Sequence, residues 1–180
     1  TENGTSEQQQ AAVEREAPQG ITTEEGESNS AGPDDPRLYL TVPRLGIYDD
    51  TVRDDDSEEA MGLGAIKLPS TGFPWQKGDT NTYIACHRLG FPGTESYNQC
   101  LNLPSMQKGD EVFLTDANGT VYEYRVAKVL IVGPEETWVT QPVGGKDVVS
   151  LQTCVESFSD VFTLGPDWEA RLVVQADRVV

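Results

Sequence analysis

Val148-Val149-Ser150-Leu151-Gln152-Thr153-Cys154 is the stretch on which the reading of this chain turns. Val149 and Leu151 alternate with Ser150 and Gln152, the two-residue period of a half-buried strand. The run ends on a thiol. A cysteine at the last position of a strand sits where the strand opens into a loop, so its sulfur reaches solvent from a rigid support.

The segments around it carry the same signature. Glu111 to Thr115 and Thr120 to Ile131 flank Asp116-Ala117-Asn118-Gly119, and Asn-Gly between two β-rich runs predicts a hairpin. Gly133-Pro134 stops the second of these strands, and Thr137-Trp138-Val139 falls in a connecting loop. After Cys154 a loop is expected through Phe158 to Trp168, then a closing strand over Ala170-Arg171-Leu172-Val173-Val174-Gln175-Ala176. Toward the N-terminus, Thr82 to Arg88 reads as a strand ending on the only histidine, His87. A helix is expected over Glu95 to Leu103 with Thr94 as its cap, and a turn at Lys108-Gly109-Asp110. Leu38 to Pro43 and Thr51 to Arg53 are further short strand-like runs, and Ala65 to Pro69 is another short apolar run. Ser57 opens a short helix with Glu58 and Glu59 in its first turn. Many short strands and little helix make an all-β domain, closed or nearly closed into a barrel.

Composition narrows the function. Net charge is -17, of which residues 1 to 36 contribute -8 through nine acids and one base. That balance argues against binding nucleic acid backbones. Residues 1 to 36 have almost no aromatic or branched apolar content and are expected to be a disordered acidic linker ahead of a domain over 37 to 180. No apolar run is long enough to span a bilayer. The chain begins at Thr1, which is expected of a processed or truncated form with a membrane anchor outside it. The acidic run Asp54 to Glu59 lacks the spaced ligands and central glycine of a calcium loop and reads as a solvated face. The Cys-x-x-Cys spacing of zinc sites is absent, and no metal or organic cofactor is expected.

Three residues of catalytic type sit at strand positions: Cys154, His87 and Arg171. Cysteine and histidine make a nucleophile and an acid/base partner when a fold joins them. A guanidinium supplies fixed donors for a substrate carbonyl or a developing oxyanion. Each alone has an ordinary structural reading: a core thiol, a satisfied imidazole, a surface ion pair.

Leu151-Gln152-Thr153-Cys154 resembles the TLxTC signature of sortases, the cysteine transpeptidases of Gram-positive cell surfaces, with Ser150 in place of its first Thr. Ala85-Cys86-His87-Arg88 is similar to the family's AGHR-type segment, with Cys86 in place of glycine. Ala170 to Val174 resembles its final strand, and Leu40-Thr41-Val42-Pro43-Arg44-Leu45-Gly46-Ile47 its first. The likeness spans roughly residues 37 to 177. It implies a closed barrel of about eight strands. It also implies that Cys154 attacks an LPxTG- or LAxTG-like sorting motif after its threonine, that His87 is the acid and base, and that Arg171 steadies the oxyanion. Thr153, next to the thiol, is expected to line the substrate groove. The implied partners are the sorting-motif peptide and a cell-wall precursor amine or a pilin lysine. The implied location is the outer face of the cell membrane.

The short chain and the Trp138 region are most similar to class E, the actinobacterial housekeeping type; class C, which polymerises pilins, is the nearest alternative. Asp34-Asp35-Pro36 invites comparison with the class C lid, but Arg37 follows the proline and the segment reads as a linker end. Alternation points Cys86 away from the face of His87. Because the resemblance implies export, a Cys86–Cys100 disulfide is expected, worth about 3 kcal/mol. Two reduced buried thiols are the alternative. A non-catalytic surface-displayed barrel and a hydrolytic cysteine protease remain open as other functions.

Overall fold

The computed structural model describes residues 31–180. Of the segment read as a linker, residues 1–30 lie outside the described residues. Eight strands close into a barrel: β1 Leu38–Val42, β2 Ile47–Asp54, β3 Ile66–Lys67, β4 Thr80–Ala85, β5 Glu111–Asp116, β6 Val121–Val132, β7 Asp147–Val155 and β8 Ala170–Arg178. Around the barrel they follow the order β1-β2-β3-β4-β7-β8-β6-β5. The expected hairpin is β5–β6, with Leu114 opposite Tyr122 and Gly119 at φ 82° in the turn. Two pairings are parallel, β2 with β3 and β4 with β7. The second brings the strand that leads to His87 beside the cysteine-bearing one.

Alternation decides which face each side chain takes. Val149, Leu151 and Val155 of β7, Ala170, Leu172 and Val174 of β8, and Ile84 of β4 fill the barrel interior. The other face of the same three strands is covered in part by the β6–β7 connection. There Tyr83, Val132, Val139 and Val173 form a second buried cluster. The six-residue helix α1, Glu58–Leu63, covers β3 and β4 through Ala60, Ile66 and Ala85. Ser57 caps it by accepting from the Ala60 N–H at 3.1 Å, with Glu58 and Glu59 in the first turn as expected. Lys67 belongs to a run read as apolar, yet its side chain is 1% exposed. It is satisfied by Asp54 at 2.8 Å, the Leu68 carbonyl at 3.0 Å and the Phe73 ring at 3.9 Å.

The structure differs from expectation in several places. β4 stops at Ala85, so His87 and Arg88 lie beyond the strand expected to hold them. Residues 94–102 form successive turns rather than a helix, and only Leu103–Ser105 winds into a 3-10 turn. The chain there is tethered from outside: Cys100 is bonded to Cys86, Ser96 is buried, and Asn98 takes a left-handed φ of 53°. The Thr94 hydroxyl bonds to the Phe91 and Gly62 carbonyls instead of capping a helix. Thr137–Thr140, read as loop, is a 3-10 helix. The short strand read at Thr51 to Arg53 extends back to Ile47, with an irregular pairing against β1 between Leu40 and Val42. The segment before β1 pairs Arg37 with Asp35. Among the described residues no helix is long and apolar enough to cross a membrane.

Candidate active site

The site lies where β4, β7 and β8 run side by side. Cys154 and Arg171 are direct cross-strand partners in the antiparallel β7–β8 pair. Directly opposed residues share a face. In the parallel β4–β7 pair, Ala85 is level with Gln152. The ladder goes one step further, with the Cys86 N–H donating to the Gln152 carbonyl at 3.0 Å. His87 follows two residues after Ala85, as Cys154 does after Gln152, so the parallel register leads the chain beyond β4 toward the end of β7, where Cys154 faces Arg171. Parity puts Cys154 and Arg171 on the outer face, because Val155 and Leu172 go inward. His87 and Cys154 each stand just beyond or at the end of their strands and are half-buried.

Each member is held from behind. The imidazole meets the Phe91 ring edge-on, with centroids 5.7 Å apart. Burial holds His87 below its ordinary value, which favours the neutral ring. The Cys100 N–H donates to the His87 carbonyl at 3.1 Å, and the Cys86–Cys100 disulfide fixes the same two segments. Cys154 is the free cysteine. Arg171 donates through Nη1 to the carbonyls of Trp168 at 2.9 Å and Ala170 at 3.0 Å. That anchors one arm of the fork and leaves Nε and Nη2 without a protein partner among the described residues.

Thr153 is placed differently from expectation. It shares the inward face of Leu151 and Val155, is 1% exposed, and donates to the Cys86 carbonyl at 2.8 Å. Its side chain braces the end of β4 and does not line the groove.

Three residues passed over in the sequence shape the site. Arg88 is 4% exposed and donates to the carbonyls of Leu101 at 2.6 Å, Val161 at 3.0 Å and Cys154 at 3.4 Å. Burial lowers its pKa, and the charge of Cys154 opposes that shift. Its parity with Cys86 was the available signal for an inward guanidinium. Gln152 accepts from the Tyr83 hydroxyl at 2.6 Å, beside a cavity of about 220 Å³ floored by Ala85, Gln152 and Arg171 and roofed by Thr137 and Val139. Burial drives the Tyr83 phenol well above its ordinary value, with Arg171 pulling the other way, so it stays a neutral donor. Asn81 holds the roof: its amide donates to the Val139 and Gln141 carbonyls at 2.9 and 3.0 Å, and its oxygen accepts from Ser150. Among the described residues no group of three or more His, Cys, Asp or Glu side chains is arranged to hold a metal ion.

The sortase domain model matches residues 40–179. The chain belongs to the sortase family. Sortases are cysteine transpeptidases, and His87, Cys154 and Arg171 lie within the matched span. The chain is similar to sortase C-1 of Actinomyces oris at 24% identity, covering 82% of this chain and 76% of that one with a TM-score of 0.67. It is similar to Streptococcus pneumoniae sortase C at 25% identity, covering 81% and 67%, TM-score 0.65. A lid mutant of Corynebacterium diphtheriae sortase A matches at 20% identity, covering 85% and 75%, TM-score 0.66. No curated protein sequence matches the chain. At these identities the likeness establishes the shared barrel, and the disulfide between Cys86 and Cys100 is a feature read from this chain itself.

Proposed function

We propose that residues 37–180 form the catalytic domain of a transpeptidase that joins secreted proteins to an amine at the cell surface. The observation that carries this reading is the pairing of Cys154 with Arg171 across β7 and β8, with β4, which His87 follows by two residues, paired in parallel to β7. The Cys154 thiolate attacks the carbonyl carbon of the threonine in an LPxTG- or LAxTG-like motif. Arg171 donates to the oxyanion through the arm its backbone contacts leave free. His87 as imidazolium protonates the departing amine, and the neutral ring, which burial favours, later takes a proton from the incoming one. The cavity between Arg171 and the β6–β7 roof is the side from which the sorting motif approaches.

The half-exposed free thiol favours this reading over a non-catalytic displayed barrel. Class E is the subclass we favour: the segment before β1 is tied to itself by the Asp35–Arg37 pair, which supports a linker end rather than a lid. Likeness to sortase C structures, one of them described as pilus-related, supports a pilin lysine as the second reading of the acceptor.

The test is a panel of sorting-motif peptides incubated with the enzyme, with and without an added amine, followed by mass spectrometry. An acyl-enzyme on Cys154 and an amine-dependent product are expected. Undiminished turnover by Cys154→Ala would end the proposal, and product that never contains the amine would assign a hydrolase.

A further inference from the structure

Two cations are buried among the described residues, Lys67 and Arg88. Lys67 has a counter-charge, Asp54, at 2.8 Å. Arg88, 4% exposed, makes no ion pair among the described residues and meets only the carbonyls of Leu101, Val161 and Cys154. Carbonyls satisfy its donors without cancelling its charge, and a buried charge is ordinarily paired. The three contacts also use only Nε and Nη1. Nη2 has no hydrogen-bond partner among the described residues, yet it is not one of the fully enclosed unpaired atoms, which belong to Arg53, Thr82 and Gln99. It therefore meets open space.

That space is a cavity of about 260 Å³ between the β7–β8 connection, residues 156–169, and the turns around Leu101. Leu101, Pro104, Phe162 and Leu164 supply apolar walls, and exposed Asn102 adds an amide. No Asp or Glu lines it, although the chain carries 30 acids against 13 lysines and arginines. A cationic ligand meets like charge at Arg88. A neutral carbonyl satisfies Nη2 and leaves the charge uncompensated. A multiply charged phosphate brings more hydrated charge than apolar walls accept. A single carboxylate on an apolar body answers both the donor and the charge, and gives the walls a surface to cover. The cavity is smaller than pockets for drug-sized ligands, which run from about 300 Å³ upward, so the body is compact. Phe162 and Leu164, 69% and 48% exposed, are the wall residues it shields from water.

We propose that this cavity binds a small monocarboxylate on a compact apolar stem, with its carboxylate on Nη2 of Arg88 and its stem between Leu101, Pro104, Phe162 and Leu164. The bound acid completes the charge of Arg88 and ties the β7–β8 connection to it. The site touches the thiol's residue only through the contact of Arg88 with the Cys154 carbonyl. It is separate from the cavity under the β6–β7 roof, where Arg171 is the cation. No bond is made or broken, and occupancy needs no acyl transfer, so the site stands or falls apart from the reading of Cys154.

The experiment titrates the isotope-labelled full chain with hydrocinnamate or its neutral amide, read by nuclear magnetic resonance. Hydrocinnamate should bind with a Kd of about 1 mM and shift the backbone signals of Leu101, Phe162 and Leu164. The neutral amide should bind about tenfold more weakly, and inorganic phosphate should not compete. Leu164→Glu puts a like charge on the wall at a half-exposed position and should weaken hydrocinnamate about tenfold. Leu164→Gln, matched in length and uncharged, should cost less than about threefold. Arg88→Met should bind acid and amide alike; the Leu164 pair decides the matter if that variant does not fold. Cys154→Ala should bind hydrocinnamate as the wild type does. Absence of saturable binding, equal binding of acid and amide, or equal losses in the two Leu164 variants overturns the site. Binding lost in Cys154→Ala, or shifts at Arg171 in place of Leu101, puts the acid in the other cavity and overturns it as well. Tighter binding of acetyl-Leu-Phe than of hydrocinnamate shows a groove open to peptide ends and overturns a small-ligand site.

Discussion

Arg88→Met removes a buried guanidinium while keeping most of its stem. Arg88 joins three segments: the end of β4, the turns through Leu101, and the β7–β8 connection at Val161, with the Cys154 carbonyl alongside. Hydrogen bonds to a charged group are worth about 1.5–3 kcal/mol each. The contacts at 2.6 and 3.0 Å count fully, and the one at 3.4 Å counts little. Two bonds at the lower value give about 3 kcal/mol. Burial of the guanidinium, which already lowers its pKa, offsets part of that. The expected net loss is about 2–3 kcal/mol, read as a lower urea midpoint at unchanged slope. The thiol's own backbone also loses a support, so kcat should fall about tenfold through misplacement of the reacting sulfur. Arg88→Lys carries the charge but not the fork, and should recover about half of the stability. If Arg88→Met unfolds within about 0.5 kcal/mol of wild type and keeps its kcat, the clamp has no energetic content and the reasoning is wrong.

Arg171→Lys should lower kcat/KM about a hundredfold, because an ammonium cannot hold the loop carbonyls and a substrate oxygen together; wild-type rates would remove Arg171 from the site. Reducing Cys86–Cys100 should cost about 3 kcal/mol, and alkylation should count one free thiol before reduction and three after. Burial holds His87 below 6.5, so as pH falls the unfolded chain binds the proton first and stability drops through a window opening at 6.5 and closing at the folded value. His87→Gln should remove that slope; identical pH dependence of urea stability in both proteins would show that burial does not set it.

How much could be read depended on the range of the cause. The β5–β6 hairpin was legible because Asn118-Gly119 dictates its turn locally. The α1 cap at Ser57 was legible for the same reason. Residues 94–102 were misread because their conformation is imposed by a bond to Cys86 and by burial of Ser96, neither of which is a neighbour in sequence. Thr153 was assigned to the groove by adjacency to the thiol, although the parity of Leu151 and Val155 already placed it inward. Arg88, read as the end of a motif, is a buried clamp because the β7–β8 connection folds back over it.

The amino-acid order alone settled the strand period, the face each strand residue takes, and the three chemical groups available for acyl transfer. These are local properties, fixed by the pleat and by side-chain type. Only the closed barrel decided that β4 lies parallel to β7 and β7 antiparallel to β8. Those pairings follow from burying one face of all eight strands at once, a long-range requirement that no single segment carries. They set Arg171 opposite Cys154 and bring the end of β4, two residues before His87, beside β7.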